Sequence, residues 1–380
     1  MIRQGLSLLR FLIGLAIVIA ALSGPALANP MLLFDLNTGQ VLSHQDAFRR
    51  WHPASLTKLM TAYVTFRAVA AGELALDSPI KVTKHSAAEP PSKMGFKPGS
   101  VMTLDNALKM MLVKSANDIA MAVGENVGGS EEAFAVRMNA EAKRLGMNDS
   151  HFVNPNGLHS EDQYTTARDL ALLVTSIRNE FPQYAPYFSI QGIKAGKKTL
   201  MSYNLLVGRY AGADGMKTGF VCASGFNVVG SATRGGKTLV AIVLGEKSAV
   251  GRTDAVASLL EHGFAETGKQ GAALASLPAY GLRGAAPANL REEVCGKKKP
   301  AAAQSEAAPD PGTVVAKSPW LVKIPSPKLV AVGLGGATGP IPLAMRNADG
   351  QEYADVPIPT PRPDYPPVAK VSAQGDAGTN

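Results

Sequence analysis

After its first 28 residues the sequence contains no apolar run approaching the roughly 20 residues that a membrane-spanning helix needs. Cysteine is nearly absent, with only Cys222 and Cys295 in 380 residues, so the chain is not a small scaffold stapled by bridges. A metal-peptidase signature is missing as well. The six histidines, His44, His52, His85, His151, His159 and His262, are scattered and none falls in an H-E-x-x-H pattern, so surface or structural roles are expected and no metal or other cofactor is implied. Charge is sparse: 18% of residues are charged and the formal net charge of +8 is spread thinly. Its one dense basic run, Lys297-Lys298-Lys299, lies in a polar Ala- and Pro-rich stretch and reads as a solvated linker. Nucleic acid is excluded as an expected partner, because its recognition needs a broader basic surface with stacking or base-reading elements.

What is present is enough apolar material, 46% of 380 residues, to bury one large core and support a smaller appended module. Residues 1–28 read as an export signal. Arg3 and Arg10 supply a basic start, Phe11 to Leu22 an apolar run, and Ala26-Leu27-Ala28 a small-residue cleavage site before Asn29. The alternative is an uncleaved anchor, but the run is short for one. The expectation is an exported protein of the periplasm or cell envelope with no firm membrane anchor. An even cysteine count in such a compartment permits one bridge, Cys222 to Cys295, tying the start of the C-terminal segment to the body. Two unpaired thiols are the other reading.

Turn residues Asn37-Thr38-Gly39 separate Met31–Leu36 from Gln40–Leu42, which predicts a hairpin. From Ser55 the apolar residues Leu56, Leu59, Met60, Tyr63 and Val64 fall three and four apart behind Pro53, which predicts a buried helix with Ser55 in its first turn. Helical patterns also cover about Leu104 to Val127, Glu131 to Leu145, Thr166 to Ile177 and Arg252 to Phe264, and strands cover Phe226–Thr233 and Lys237–Leu244. Strands at both ends with helices between them predict an α+β fold, an antiparallel sheet sandwiched by helices. The expected organisation is a signal at 1–28, a catalytic-type domain at 29–268, and an Ala/Gly/Pro-rich segment at 269–380 with a small β patch near 318–345. Runs such as Pro357–Pro363 and Pro366-Pro367 favour extended polyproline conformation.

Ser55 and Lys58 stand three residues apart, hence on one face of the predicted helix. A serine hydroxyl is a weak nucleophile and needs a proton acceptor, which a lysine can be if desolvation or another cation lowers its pKa. The same spacing recurs at Ser78 and Lys81, without helical periodicity. Ser115-Ala116-Asn117 supplies a hydroxyl able to relay a proton and an amide able to orient a carbonyl. Ser202-Tyr203-Asn204 is its chance counterpart. Lys217-Thr218-Gly219 occurs once and offers a positive charge, a hydroxyl for a carboxylate, and a glycine that lets substrate backbone approach a strand.

Taken in order, S-x-x-K, Ser/Asn and K-T-G match the signature shared by serine β-lactamases and penicillin-binding proteins. Residues from about Pro30 to Phe264 resemble the low-molecular-mass penicillin-binding proteins, serine-type D-alanyl-D-alanine carboxypeptidases. The resemblance rests on Pro53–Thr61, Ser115–Asp118, Asn154–Leu158 and Asp214–Gly219. It implies peptidoglycan stem peptides as substrate and β-lactam antibiotics as acylating ligands. By the same resemblance Ser55 is the nucleophile, Lys58 its base, Ser115 the proton relay, and Asn117 the holder of the acyl-side amide. Lys217 and Thr218 receive the terminal carboxylate, beside Gly219. The backbone N–H groups of Ser55 and Phe220 form the oxyanion hole. The family's amphipathic C-terminal helix is not matched by Val368–Ser372.

A D,D-endopeptidase would use the same residues, and a non-catalytic peptidoglycan-binding homologue would keep the fold. A β-lactamase is disfavoured because no stretch resembles its deacylating glutamate segment. Asp169 could be a deacylating carboxylate, but its context favours a structural ion pair or cap. Met110, Met111 and Met121 read as core.

Overall fold

The computed structural model of the chain describes residues 29–266, 271–281, 283–296, 318–342 and 345. The export signal, its cleavage point, the Lys297–Lys299 run and the proline-rich segment lie outside the described residues. Strand β1 (Met31–Asp35) and β2 (Val41–Gln45) form the expected hairpin. A 3-10 turn, Ala54–Leu56, leads into α1 (Thr57–Ala70). Then follow β3 (Pro79–Lys81), α2 (Lys84–Ala88), β4 (Val101–Thr103), α3 (Leu104–Val113), α4 (Asn117–Gly128), α5 (Glu131–Arg144) and α6 (Ala167–Glu180). The chain returns through β5 (Gly192–Ala195), β6 (Lys198–Met201), β7 (Ala213–Val221), β8 (Gly225–Arg234) and β9 (Lys237–Glu246) to α7 (Ala249–Ala265). Beyond it lie the short α8 (Arg291–Cys295) and β10 (Leu329–Val332).

The main sheet is antiparallel with the order β2-β1-β9-β8-β7, so the first and last strands of the core do pair, Leu33 opposite Ala241. Strand alternation divides their side chains between two cores. Leu32, Phe34, Val240, Ile242 and Leu244 face α6 and belong to the core that α1, α3 and α4 complete. Leu33, Leu239, Ala241 and Val243 face α7 through Val256, Ala257 and Leu260. With both faces covered, β9 is apolar without interruption from Leu239 to Leu244.

Two sequence expectations change. The pattern from Leu104 to Val127 is two helices, because Ser115 takes φ 60 and Ala116 is extended, ending α3 and restarting the chain as α4. Asp118 accepts from the N–H groups of Met94 and Gly95, and Asn117 donates its backbone N–H to Ser92, so the loop ahead of β4 docks onto that break. The closing helix starts three residues early, where Ser248 caps it by accepting from the N–H of Gly251. Among the described residues the C-terminal apolar patch contributes one strand: β10 pairs in parallel with β5, which pairs with β6. Among the described residues no helix is long and apolar enough to cross a membrane.

Candidate active site

Ser55 lies in the 3-10 turn ahead of α1, where Ala54 is held at φ 50. A non-glycine residue there costs about 1–3 kcal/mol, so the surroundings must impose it. One constraint is Gly157, at φ +84, where an added Cβ would stand 1.9 Å from the Ala54 carbonyl oxygen. A second is Asn227 on β8, whose Nδ2 donates to the carbonyls of His52 and Pro53 at 3.0 and 3.2 Å.

One helical turn on, Lys58 is fully buried. Its Nζ reaches Ser55 Oγ at 3.0 Å, Asn117 Oδ1 at 2.8 Å and the Asn156 carbonyl at 2.5 Å. Burial pushes the amine well below the usual lysine range, and the positive charge of Lys217 adds to the effect, while Glu89 and Asp118 oppose it. A neutral amine keeps two N–H bonds for Asn117 and Asn156 and turns its lone pair to the Ser55 hydroxyl. Geometry and electrostatics thus agree on a base poised for that proton.

Ser115, at the break between α3 and α4, faces the second lysine: Lys217 Nζ lies 2.9 Å from Ser115 Oγ and 2.8 Å from the Thr218 carbonyl. Asn117 opens α4, its Oδ1 on Lys58 and its Nδ2 donating to the Pro90 carbonyl at 3.0 Å. Lys217, Thr218, Gly219 and Phe220 all lie on β7, the outer strand of the main sheet. A Cβ on Gly219 would meet the Pro53 carbonyl oxygen at 2.9 Å and the Ser55 backbone nitrogen at 3.0 Å, so this glycine is what lets β7 run against the Ser55 turn. The sheet edge, the turn and the break between two helices therefore meet at one point. An acyl group lying along β7 could place its carbonyl beside the N–H of Ser55 with two amines and two hydroxyls at hand.

Several contributors carry no motif of their own. Asn156 holds Lys58 through a backbone carbonyl, a role invisible in its side chain, although it lies inside the Asn154–Leu158 stretch. Asn227 is buried among strand residues and its use depends on a contact 175 positions away. Arg252 on α7 is fully buried under β7, with Nη1 3.4 Å from the Gly219 carbonyl.

Other candidates fall elsewhere. Asp169 is buried at the start of α6, accepts from Ser150 Oγ and the Asp149 N–H, and pairs with Arg168, which is a structural role. Ser78 is buried and accepts from the Ala75 N–H, while Lys81 points outward on β3. Ser202 accepts from the Asn204 N–H in a turn. Met110, Met111 and Met121 are core. The sulfurs of Cys222 and Cys295 are joined, with Cα atoms 5.7 Å apart, linking the end of β7 to α8.

The family model described as D-alanyl-D-alanine carboxypeptidase matches residues 21–248. The chain is 35% identical over 250 residues to the D-alanyl-D-alanine carboxypeptidase DacC of Escherichia coli, covering 62% of this chain and 61% of that protein. It is 31% identical over 245 residues to DacF of Bacillus subtilis, covering 63% of this chain and 62% of the relative. The chain thus spans a little over three fifths of these curated relatives. Penicillin-binding protein 6B from Escherichia coli superposes with a TM-score of 0.60 at 30% identity, covering 64% of this chain and 79% of that one. Penicillin-binding protein D2 from Listeria monocytogenes, solved in its cefotaxime-bound form, superposes at 0.57 with 32% identity, covering 62% and 97%.

Proposed function

The chain belongs to the D-alanyl-D-alanine carboxypeptidase family, and on that premise we propose that it is a serine D,D-carboxypeptidase removing the terminal D-Ala from peptidoglycan pentapeptide stems. The observation that carries this reading is the fully buried Lys58 amine, held below its usual pKa and 3.0 Å from Ser55 Oγ. In this reading Lys58 takes the Ser55 proton as the oxygen attacks the penultimate D-Ala carbonyl. The oxyanion that develops is stabilised by the N–H groups of Ser55 and Phe220, and preorganised donors of this kind typically contribute about 3 kcal/mol each. Ser115 passes a proton to the leaving D-Ala, with Lys217 holding its hydroxyl in place. Lys217 and Thr218 receive the terminal carboxylate. Asn117 Oδ1, already an acceptor for Lys58, has a second lone pair for the acyl-side N–H. Water then hydrolyses the acyl-enzyme, and β-lactams acylate the same serine.

The reading places the mature protein outside the cytoplasm, released after Ala28. The test is incubation with a stem pentapeptide ending in D-Ala-D-Ala: free D-Ala and a tetrapeptide are expected. Release of monomers from crosslinked dimers, with no D-Ala from the pentapeptide, would replace this reading by an endopeptidase. Neither product, together with no labelling by a fluorescent penicillin, would leave a non-catalytic homologue.

A further inference from the structure

The fold gathers two histidines that are 107 positions apart. His52 lies three residues ahead of Ser55 and is only 2% exposed. Its Nδ1 is 3.1 Å from the Gln163 carbonyl, and a carbonyl can only accept, so the ring proton sits on Nδ1. In the neutral ring Nε2 therefore presents a lone pair. That nitrogen is buried and has no hydrogen-bond partner. What faces it is a carboxylate: Glu161 Oε2 lies 3.9 Å away, beyond hydrogen-bond reach, and Glu161 Oε1 lies 3.2 Å from Nε2 of His159. One ligand atom from each of the three residues falls within 4.8 Å of the others, with the two imidazole rings nearly perpendicular at 82°. A buried lone pair and a carboxylate turned toward each other are two electron-pair donors converging on one point, the arrangement that a bound cation requires.

We infer that His52, His159 and Glu161 form a binding site for a divalent transition metal of the zinc type. Two imidazoles and one carboxylate suit Zn²⁺, whose bonds to such ligands run about 2.0–2.2 Å, whereas the harder Mg²⁺ and Ca²⁺ take oxygen ligands in place of imidazole nitrogen. The hydrogen bond from His52 Nδ1 to a carbonyl is the arrangement that fixes a ligating imidazole in place. Closing the ligand spacing falls to the two surface partners, since the Glu161 side chain is 72% exposed and that of His159 27%. That exposure leaves a fourth position for water. The ion would tie the segment entering the Ser55 turn to the end of the Asn154–Gln163 loop, whose Asn156 carbonyl holds Lys58. This inference stands on the three side chains and does not require the proposed peptidase activity.

The experiment uses the tag-free chain, stripped with chelator and titrated with Zn²⁺ and Co²⁺ alone. One Zn²⁺ per chain is expected with a dissociation constant of about 10 μM or tighter, together with a rise in thermal midpoint. The Co²⁺ form should show visible absorption of four-coordinate character. His159→Ala and Glu161→Gln alter exposed side chains, so the apo variants should melt near the parent, while Zn²⁺ affinity falls at least about tenfold in each. Failure of the parent to bind Zn²⁺ up to about 1 mM would overturn the site in favour of a plain His52–Glu161 contact. Binding that both variants retain in full would overturn it too, because the ion would then sit elsewhere.

Discussion

The buried amine of Lys217 acts on that of Lys58 as a like charge, and after burial itself it is the largest influence holding Lys58 below the ordinary lysine range. The relationship is asymmetric in use. Lys217 is anchored on the Ser115 hydroxyl and the Thr218 carbonyl, whereas Lys58 faces Ser55.

Acylation by penicillin should therefore rise with pH through the depressed pKa of Lys58. The same shift is a stability term. Between the folded pKa and the unfolded value of 10.5 the unfolded chain binds the extra proton, so stability rises with pH across that window and levels off above it. Relative to Lys58→Met, the parent should gain about 1.4 kcal/mol per pH unit there. Urea unfolding of both proteins at several alkaline pH values measures it; a constant difference would mean an unshifted lysine.

Ser55→Ala should abolish covalent labelling, a loss on the order of 10³-fold or more in acylation rate. It should still fold, because the hydroxyl is hydrogen-bonded to the Lys58 amine and the change removes only that oxygen. Ser78→Ala should keep full labelling yet lose about 1 kcal/mol of stability, since its hydroxyl accepts the Ala75 N–H in a buried turn. Labelling and chemical denaturation of the two variants separate site from scaffold.

Gly219→Ala puts a methyl 2.9 Å from the Pro53 carbonyl and 3.0 Å from the Ser55 nitrogen. Displacing β7 from the turn by even part of an ångström should cut acylation about 10²-fold, with circular dichroism unchanged. Near-parental acylation would show that β7 does not set the position of Ser55.

Replacing Cys222 and Cys295 together by serine opens a loop of 73 residues and should lower stability by about 4 kcal/mol in the chain-entropy picture. Labelling of Ser55 should persist at moderate temperature. Alkylation of the native protein without reductant should add no mass; two added groups would show free thiols.

Much of this was legible in the sequence because it is local. The 3.6-residue period after Ser55 and the unbroken apolar run of β9 announce a buried helix and a strand covered on both faces. The same periodicity, absent around Ser78, distinguishes the two Ser-x-x-Lys stretches. Long-range contacts were not legible. The break at Ser115 is imposed by a loop docking through Asp118, not by a helix-breaking residue. Asn156 acts through its main chain, Asn227 through a contact from another strand, and the His52–His159–Glu161 cluster joins side chains whose spacing fits no short motif.

The position of β7 at the rim of its sheet also bears on engineering. Unpaired strand edges are what most stabilised proteins bury, charge or shorten. Here the edge runs past Lys217 to Phe220, and any residue or loop recruited to seal it would cover the strand that lies against the Ser55 turn. Gains in robustness must therefore come from the opposite flank, along β2, leaving a seam that selection for stability alone would close.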